Sequence, residues 1–185
     1  MGNLSTHFPA ASSSNVLEKL SFLCDGRSAT AADGTTTYTS QAATTVNTSD
    51  SYQTWTGSEL AYTPPAGTKM VTYEFYASIG HADTSQLGHM YLDIDGTQCT
   101  VGRRSFYGVS TYSSYEPFIS SLQVGVDTED LASGKIGTWT SNKTLSVKFR
   151  RYSSSYDFTI NDLNYWNGTG SSTVTYPTLI ITACS

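Results

Sequence analysis

Apolar and polar residues alternate with a period of two along much of this chain. The pattern is clearest in the stretch from Thr138 onward, where Leu145, Val147 and Phe149 interleave with Ser146, Lys148 and Arg150. A strand sends successive side chains to opposite faces, so this segment predicts a strand with one apolar face and one wet face. A second apolar, β-branched run, Leu179-Ile-Ile-Thr, follows Pro177, with a serine turn (Ser153–Ser155) and an Asn167-Gly168 turn between the two. Lys69–Ile79 repeats the alternation: Val71, Tyr73, Phe75 and Ala77 fall on one face, and Thr72, Glu74, Tyr76 and Ser78 on the other. In His89–Asp95 the residues Met90, Leu92 and Ile94 oppose Tyr91, Asp93 and Asp95, and the Asp95-Gly96 turn predicts a hairpin with Gln98–Val101. Further strands are expected over Thr36–Ser40, Gln53–Thr56, Tyr107–Ser114 and Glu116–Val126, the last with Phe118, Leu122 and Val124 as core residues. A Pro-Pro-x-Gly turn separates Leu60-Ala-Tyr from Lys69, and Asp127–Gly137 reads as a polar loop.

One segment predicts a helix instead. In Asn15-Val-Leu-Glu-Lys-Leu-Ser-Phe-Leu-Cys-Asp-Gly26, Asn15 is a good N-cap and Glu18 takes the capping-box position. Leu17, Leu20 and Cys24 would share a face, and Gly26 would end the helix. The expected architecture is all-β: an antiparallel jelly-roll sandwich over residues 15–185 with one short helix near 16–25, preceded by an arm over residues 1–14.

Composition narrows the function. Charged residues make up 14% of the 185, against the usual quarter, while the chain carries 13 tyrosines. The net charge is −5 and the only tight basic pairs are Arg103-Arg104 and Arg150-Arg151, which speaks against nucleic acid as a partner. No window matches a membrane-spanning helix. MGNLSTHFPAASSS has no basic region followed by an apolar core, so synthesis in a cytoplasm is expected. Cys24, Cys99 and Cys184 are odd in number and far apart, and read as buried free thiols rather than a disulfide framework or zinc site.

Candidate chemistry is sparse. His81, Asp83 and His89 would make a metal site if their loop folded back, but a polar hairpin loop explains them. Asp93 and Asp95 share a strand face, yet Asp95-Gly96 is accounted for as turn chemistry. No G-x-S-x-G elbow, Walker loop or dinucleotide fingerprint occurs. No catalytic, metal or cofactor site is therefore expected. The aromatics in or beside turns, Tyr107, Tyr112, Tyr115, Tyr152, Tyr156, Tyr165 and Trp166, suit a subunit interface, a sugar-binding surface or strand-end packing. The interaction residues expected are Asn3 and Phe8 of the arm with Tyr112, Tyr115, Tyr156, Tyr165 and Trp166.

Several motifs resemble those of virion-associated jelly-roll proteins from phages and other viruses of aquatic microbes. They are Asn15-Val-Leu-Glu-Lys-Leu-Ser-Phe-Leu-Cys-Asp-Gly-Arg-Ser28, Leu60-Ala-Tyr-Thr-Pro-Pro-Ala-Gly-Thr68, Gly137-Thr-Trp-Thr-Ser-Asn-Lys143, Ser155-Tyr156 and Tyr165-Trp166-Asn-Gly-Thr169. Asn142 and Asn167 depart from the pattern, standing where Pro and Asp are expected. The resemblance implies a trimeric jelly roll of the tumour-necrosis-factor/C1q type on a particle surface: a structural, non-enzymatic capsid decoration or cement protein. Its expected partners are itself, as a homotrimer, and the major capsid protein or other virion proteins. Its expected location is the virion, after synthesis in the host cytoplasm. The alternative is a fibre tip or lectin-like module that binds a host surface glycan.

Overall fold

A computed structural model describes residues 15–80, 85–108, 114–164 and 172–185. In chain order the first strands are β1 (Val16–Leu23), β2 (Ser28–Thr30), β3 (Thr37–Thr39), β4 (Val46–Asn47), β5 (Gln53–Thr54), β6 (Leu60–Tyr62), β7 (Met70–Ile79), β8 (Gln86–Ile94) and β9 (Thr97–Gln98). There follow β10 (Arg104–Gly108), β11 (Ser114–Val124), β12 (Lys135–Ile136), β13 (Lys143–Arg151), β14 (Thr159–Ile160), β15 (Asp162–Asn164), β16 (Ser172–Val174) and β17 (Thr178–Cys184).

Two sheets hold the core between them. The first has the order β1-β17-β7-β11-β12, with β14 joining β7 and β4 joining β14; the second has the order β10-β8-β13-β5, with β6 also on β13 and β9 on β8. The ladders are antiparallel except β11 with β12. The alternation seen in the sequence decides which face is buried: Val71, Tyr73, Phe75, Ala77 and Ile79 point inward from the first sheet, and Leu145, Val147 and Phe149 from the second. Aromatic rings bridge the sheets. Trp55 meets Phe75 edge-on at 5.8 Å and Phe149 at 5.2 Å, while Phe158 packs on Phe106 at 5.1 Å. Full burial of one such ring stabilises the fold by about 2–3 kcal/mol.

The expected N-terminal helix is replaced by β1. Its inward residues are Glu18, Leu20, Phe22 and then Cys24, a period-two row in which the first member is a carboxylate. Glu18 is buried because it is fully bonded: Tyr62 Oη donates to Oε1 at 2.8 Å and the Ala32 amide to Oε2 at 2.7 Å. The capping-box Glu is thus a core anchor, and β1 is held by its ladder to β17. Two strand limits also differ. Gln98–Val101 is a strand only over Thr97–Gln98 and then becomes a 3₁₀ turn, Thr100–Gly102. In place of Tyr107–Ser114, β10 covers Arg104–Gly108, where Phe106 packs inward; Ser114 instead opens β11.

The Asp95-Gly96 turn forms as expected, with φ of 50° and 83°, the pair of positive values that matches a hairpin's twist. Asp93 Oδ1 accepts the Gly96 amide at 2.8 Å and Asp95 Oδ1 the Thr144 amide at 2.7 Å, so both carboxylates serve the turn. Cys24, Cys99 and Cys184 are free and buried.

A basic, aromatic cleft on the second sheet

The outward face of the second sheet is built by three neighbouring strands. Register places Arg150 of β13 opposite His89 of β8, and His89 opposite Ser105 of β10, so the three side chains form one row across the sheet. Phe149 and Met90, adjacent in sequence, point inward and fix the outward direction of Arg150 and His89. The 3₁₀ turn after β9 brings Arg103 to the end of this row, and Arg104, opposite Met90 in the ladder, borders it from the sheet edge. Tyr52, just before β5, closes the other side. Together with Gln98 these residues line an open cleft of about 410 Å³.

The cations of this cleft are held without carboxylates. Arg150 lies over the ring of Tyr52, 5.2 Å from its centroid, and its Nη1 donates to the Asp50 carbonyl at 3.3 Å. Its Nε is buried and has no acceptor. Arg104 donates through Nη1 to the Arg103 carbonyl at 3.1 Å and through Nη2 to the Ile119 carbonyl at 3.3 Å. Among the described residues Arg103, Arg104 and Arg150 form no ion pair, whereas Arg27, Lys143 and Arg151 each have an aspartate. Tyr52 meets Tyr91 edge-on at 4.7 Å, and Tyr152 lies 6.1 Å from His89.

His89 Nδ1 and Ser105 Oγ are 2.9 Å apart. A nucleophile–base pair has that spacing, but the imidazole then needs a carboxylate to orient it. Here the neighbour across the ladder is Arg150. Partial burial, reinforced by the Arg150 charge, lowers the His89 pKa and keeps the ring neutral. The row is therefore suited to donating and accepting hydrogen bonds beside fixed positive charge.

A second cleft, of about 500 Å³, is lined by Glu18, Asp33, Tyr38 and Asn142 among others. Its polar groups are already engaged. Glu18 is bonded as above, Asp33 accepts from Thr35 and Thr36, Tyr38 Oη donates to the Thr63 carbonyl, and Asn142 Oδ1 accepts from Thr63 Oγ1.

Of the interaction residues expected from the sequence, Asn3, Phe8, Tyr112, Tyr165 and Trp166 lie outside the described residues, as do the arm, the Asn167-Gly168 turn, His81 and Asp83. Tyr115 is 58% exposed on β11, on the outward side of the first sheet, where its ring stacks on Tyr76 at 6.3 Å. Tyr156 sits in the turn after β13 and packs edge-on against Tyr152 at 5.7 Å. The structure thus places Tyr115 on the first sheet and Tyr156 in a turn that follows a strand of the second. Sequence reading weighed His89 only as a metal ligand beside His81 and Asp83, and it passed over Tyr52, Arg103, Arg104 and Arg150 as site residues. Their one visible signal was the two arginine pairs.

Fold and site define an all-β sandwich with a basic, aromatic cleft on one outer face. No protein-family model and no curated protein matches the chain. Among solved structures it is similar to "EclA C-terminal domain; sugar-binding protein", at 9% identity and a TM-score of 0.29, over 86% of this chain and 84% of that one. It is also similar to a chain of the infectious bursal disease virus Gt strain structure, at 11% identity and a TM-score of 0.27, over 88% of this chain and 43% of that one. At these scores neither likeness bears on function.

Proposed function

We propose that the chain is a non-enzymatic structural subunit, a jelly roll that assembles as a homotrimer and decorates or cements the surface of a virus particle. The strand order supports the jelly-roll part. With β5 and β6 taken as one interrupted strand, the main strands pair as a nested set: β1 with β17, β5/β6 with β13, β7 with β11, and β8 with β10. A hairpin of that nesting, wrapped so that neighbours fall in opposite sheets, is a jelly roll.

The observation that carries self-assembly is the outward face of the first sheet. At the outward positions of β1, β17, β7 and β11 only Lys19 and Glu74 are charged, while Leu23, Met70, Tyr115 and Ile119 are 37–58% exposed. A nearly uncharged face with exposed apolar side chains is what a closed symmetric assembly covers. The particle location is supported by the motif resemblance.

Equilibrium sedimentation of the full chain tests assembly. A mass three times the 20.0 kDa subunit is expected, and the pair Leu23→Arg with Ile119→Arg should give folded monomer. A wild-type monomer at micromolar concentration would overturn the assembly reading. Quantitative mass spectrometry of purified particles tests location: many copies in fixed ratio to the shell protein are expected, and absence refutes it.

A second reading, a recognition module for a glycan, is favoured by the cleft on the opposite sheet. It is compatible with the first, because assembly through the first sheet leaves the second exposed.

A further inference from the structure

We propose that the cleft between Tyr52, His89, Arg103 and Arg150 binds an acidic saccharide, a sugar ring carrying a carboxylate or sulfate group. The inference rests on the recognition reading and names its ligand class.

Three observations carry it. Positive charge is concentrated in a cleft whose lining holds no carboxylate. A chain with net charge −5 places three of its five arginines around one cleft, and none of the three has an ion-pair partner among the described residues. Arginine presents a planar fork that matches the paired oxygens of a carboxylate or sulfate. Arg150 is already fixed over the Tyr52 ring and on the Asp50 carbonyl. Much of the entropy of ordering this side chain is thus lost on folding rather than on binding.

The second observation is what surrounds the charge. Gln98, Ser105 and the neutral His89 supply uncharged donors and acceptors of the kind that sugar hydroxyls use, and the Tyr52 ring gives an apolar surface for the C–H face of a sugar. The third is size. An open cleft of about 410 Å³ holds one or two sugar rings, not a run of phosphates. A long polyanion would also meet the acidic remainder of the molecule.

Isothermal titration calorimetry on the full chain tests the proposal, with three trisaccharide probes that share a lactose core: sialylated, sulfated and neutral. At least one acidic probe should bind at least about tenfold more tightly than the neutral one, the gain expected of one charge-assisted contact. Which acidic probe wins distinguishes carboxylate from sulfate. Arg150→Gln should weaken that binding about ten- to hundredfold. Arg103→Gln should weaken it too; the Arg103 side chain makes no bond within the described fold, so this variant keeps the test valid if Arg150→Gln fails to fold. Arg27→Gln, paired with Asp25 outside the cleft, should leave binding unchanged. Equal binding of neutral and acidic probes would overturn the acidic class and leave glycan recognition standing. No binding of any probe would sink both. Inorganic sulfate binding as tightly as the sulfated sugar would reduce the cleft to a simple anion site and refute the saccharide.

Discussion

Asn161 shows how much one side chain can hold together. It is fully buried and has a φ of 55°, in the left-handed region. Its Oδ1 accepts from Trp55 Nε1 at 2.9 Å, and its Nδ2 donates to the Thr44 and Thr56 carbonyls at 3.1 and 2.9 Å. Its amide donates to the Ser78 carbonyl at 2.8 Å. Three segments, at Thr44, Trp55-Thr56 and Ser78, therefore meet on one residue. Asn161→Ala keeps the backbone strain, orphans the indole N–H and takes the Nδ2 donor from the Thr56 carbonyl, while the Thr44 carbonyl keeps Thr56 Oγ1 as a donor. It should cost about 2–4 kcal/mol in urea unfolding, and Asn161→Gly, which relieves only the strain, should recover part of that loss. Cys24 supplies a pH signature at the same scale. Burial pushes its thiol from the ordinary 9.0 up to about 12. A pKa raised on folding contributes stability that is fully present below the unfolded value and lost as pH rises through the folded one. Stability should thus fall between pH 9 and 12, by up to about 4 kcal/mol from this group. Urea unfolding at pH 8, 10 and 11 checks this, with Cys24→Ala flattening the decline.

Among the elements, β8 matters most for the cleft, because it pairs with both β10 and β13. Gly88 sits on it beside His89, and a methyl added there would overlap the rings of Phe106 and Phe158. Gly88→Ala should destabilise the fold by about 1–3 kcal/mol, read by urea unfolding, as overpacked cores do. Strands such as β7 and β13 were legible in the sequence because each buries one unbroken apolar row. β1 was not. Glu18 broke its row with a carboxylate, and only the tertiary partners Tyr62 and Ala32 make that carboxylate an inward residue. Local capping signals at Asn15 and Glu18 then pointed to a helix that tertiary pairing overrides.

For the molecule as a whole, the two sheets present opposite surfaces: one nearly uncharged, the other basic and aromatic. The sequence showed the arginine pairs but not their meeting. Arg103 and Arg150 stand far apart in the chain, and they line one cleft only because β8 lies between β10 and β13. The inward rows of β7 and β13 could be read from alternation, whereas the cleft depends on which strands are neighbours, and no local pattern encodes that. The nested pairing has a consequence in time as well. Its inner pair, β8 with β10, closes a short segment, while its outer pair joins Leu20 to Ile181 across nearly the whole chain. Loop closure must come before that outermost ladder gains anything, so the chain should collapse inside-out and commit slowly, in the millisecond-to-second regime of topologies dominated by distant contacts. Until β17 docks between β1 and β7, the edge of β7 stays open, and that interval is when neighbouring copies are most apt to pair wrongly.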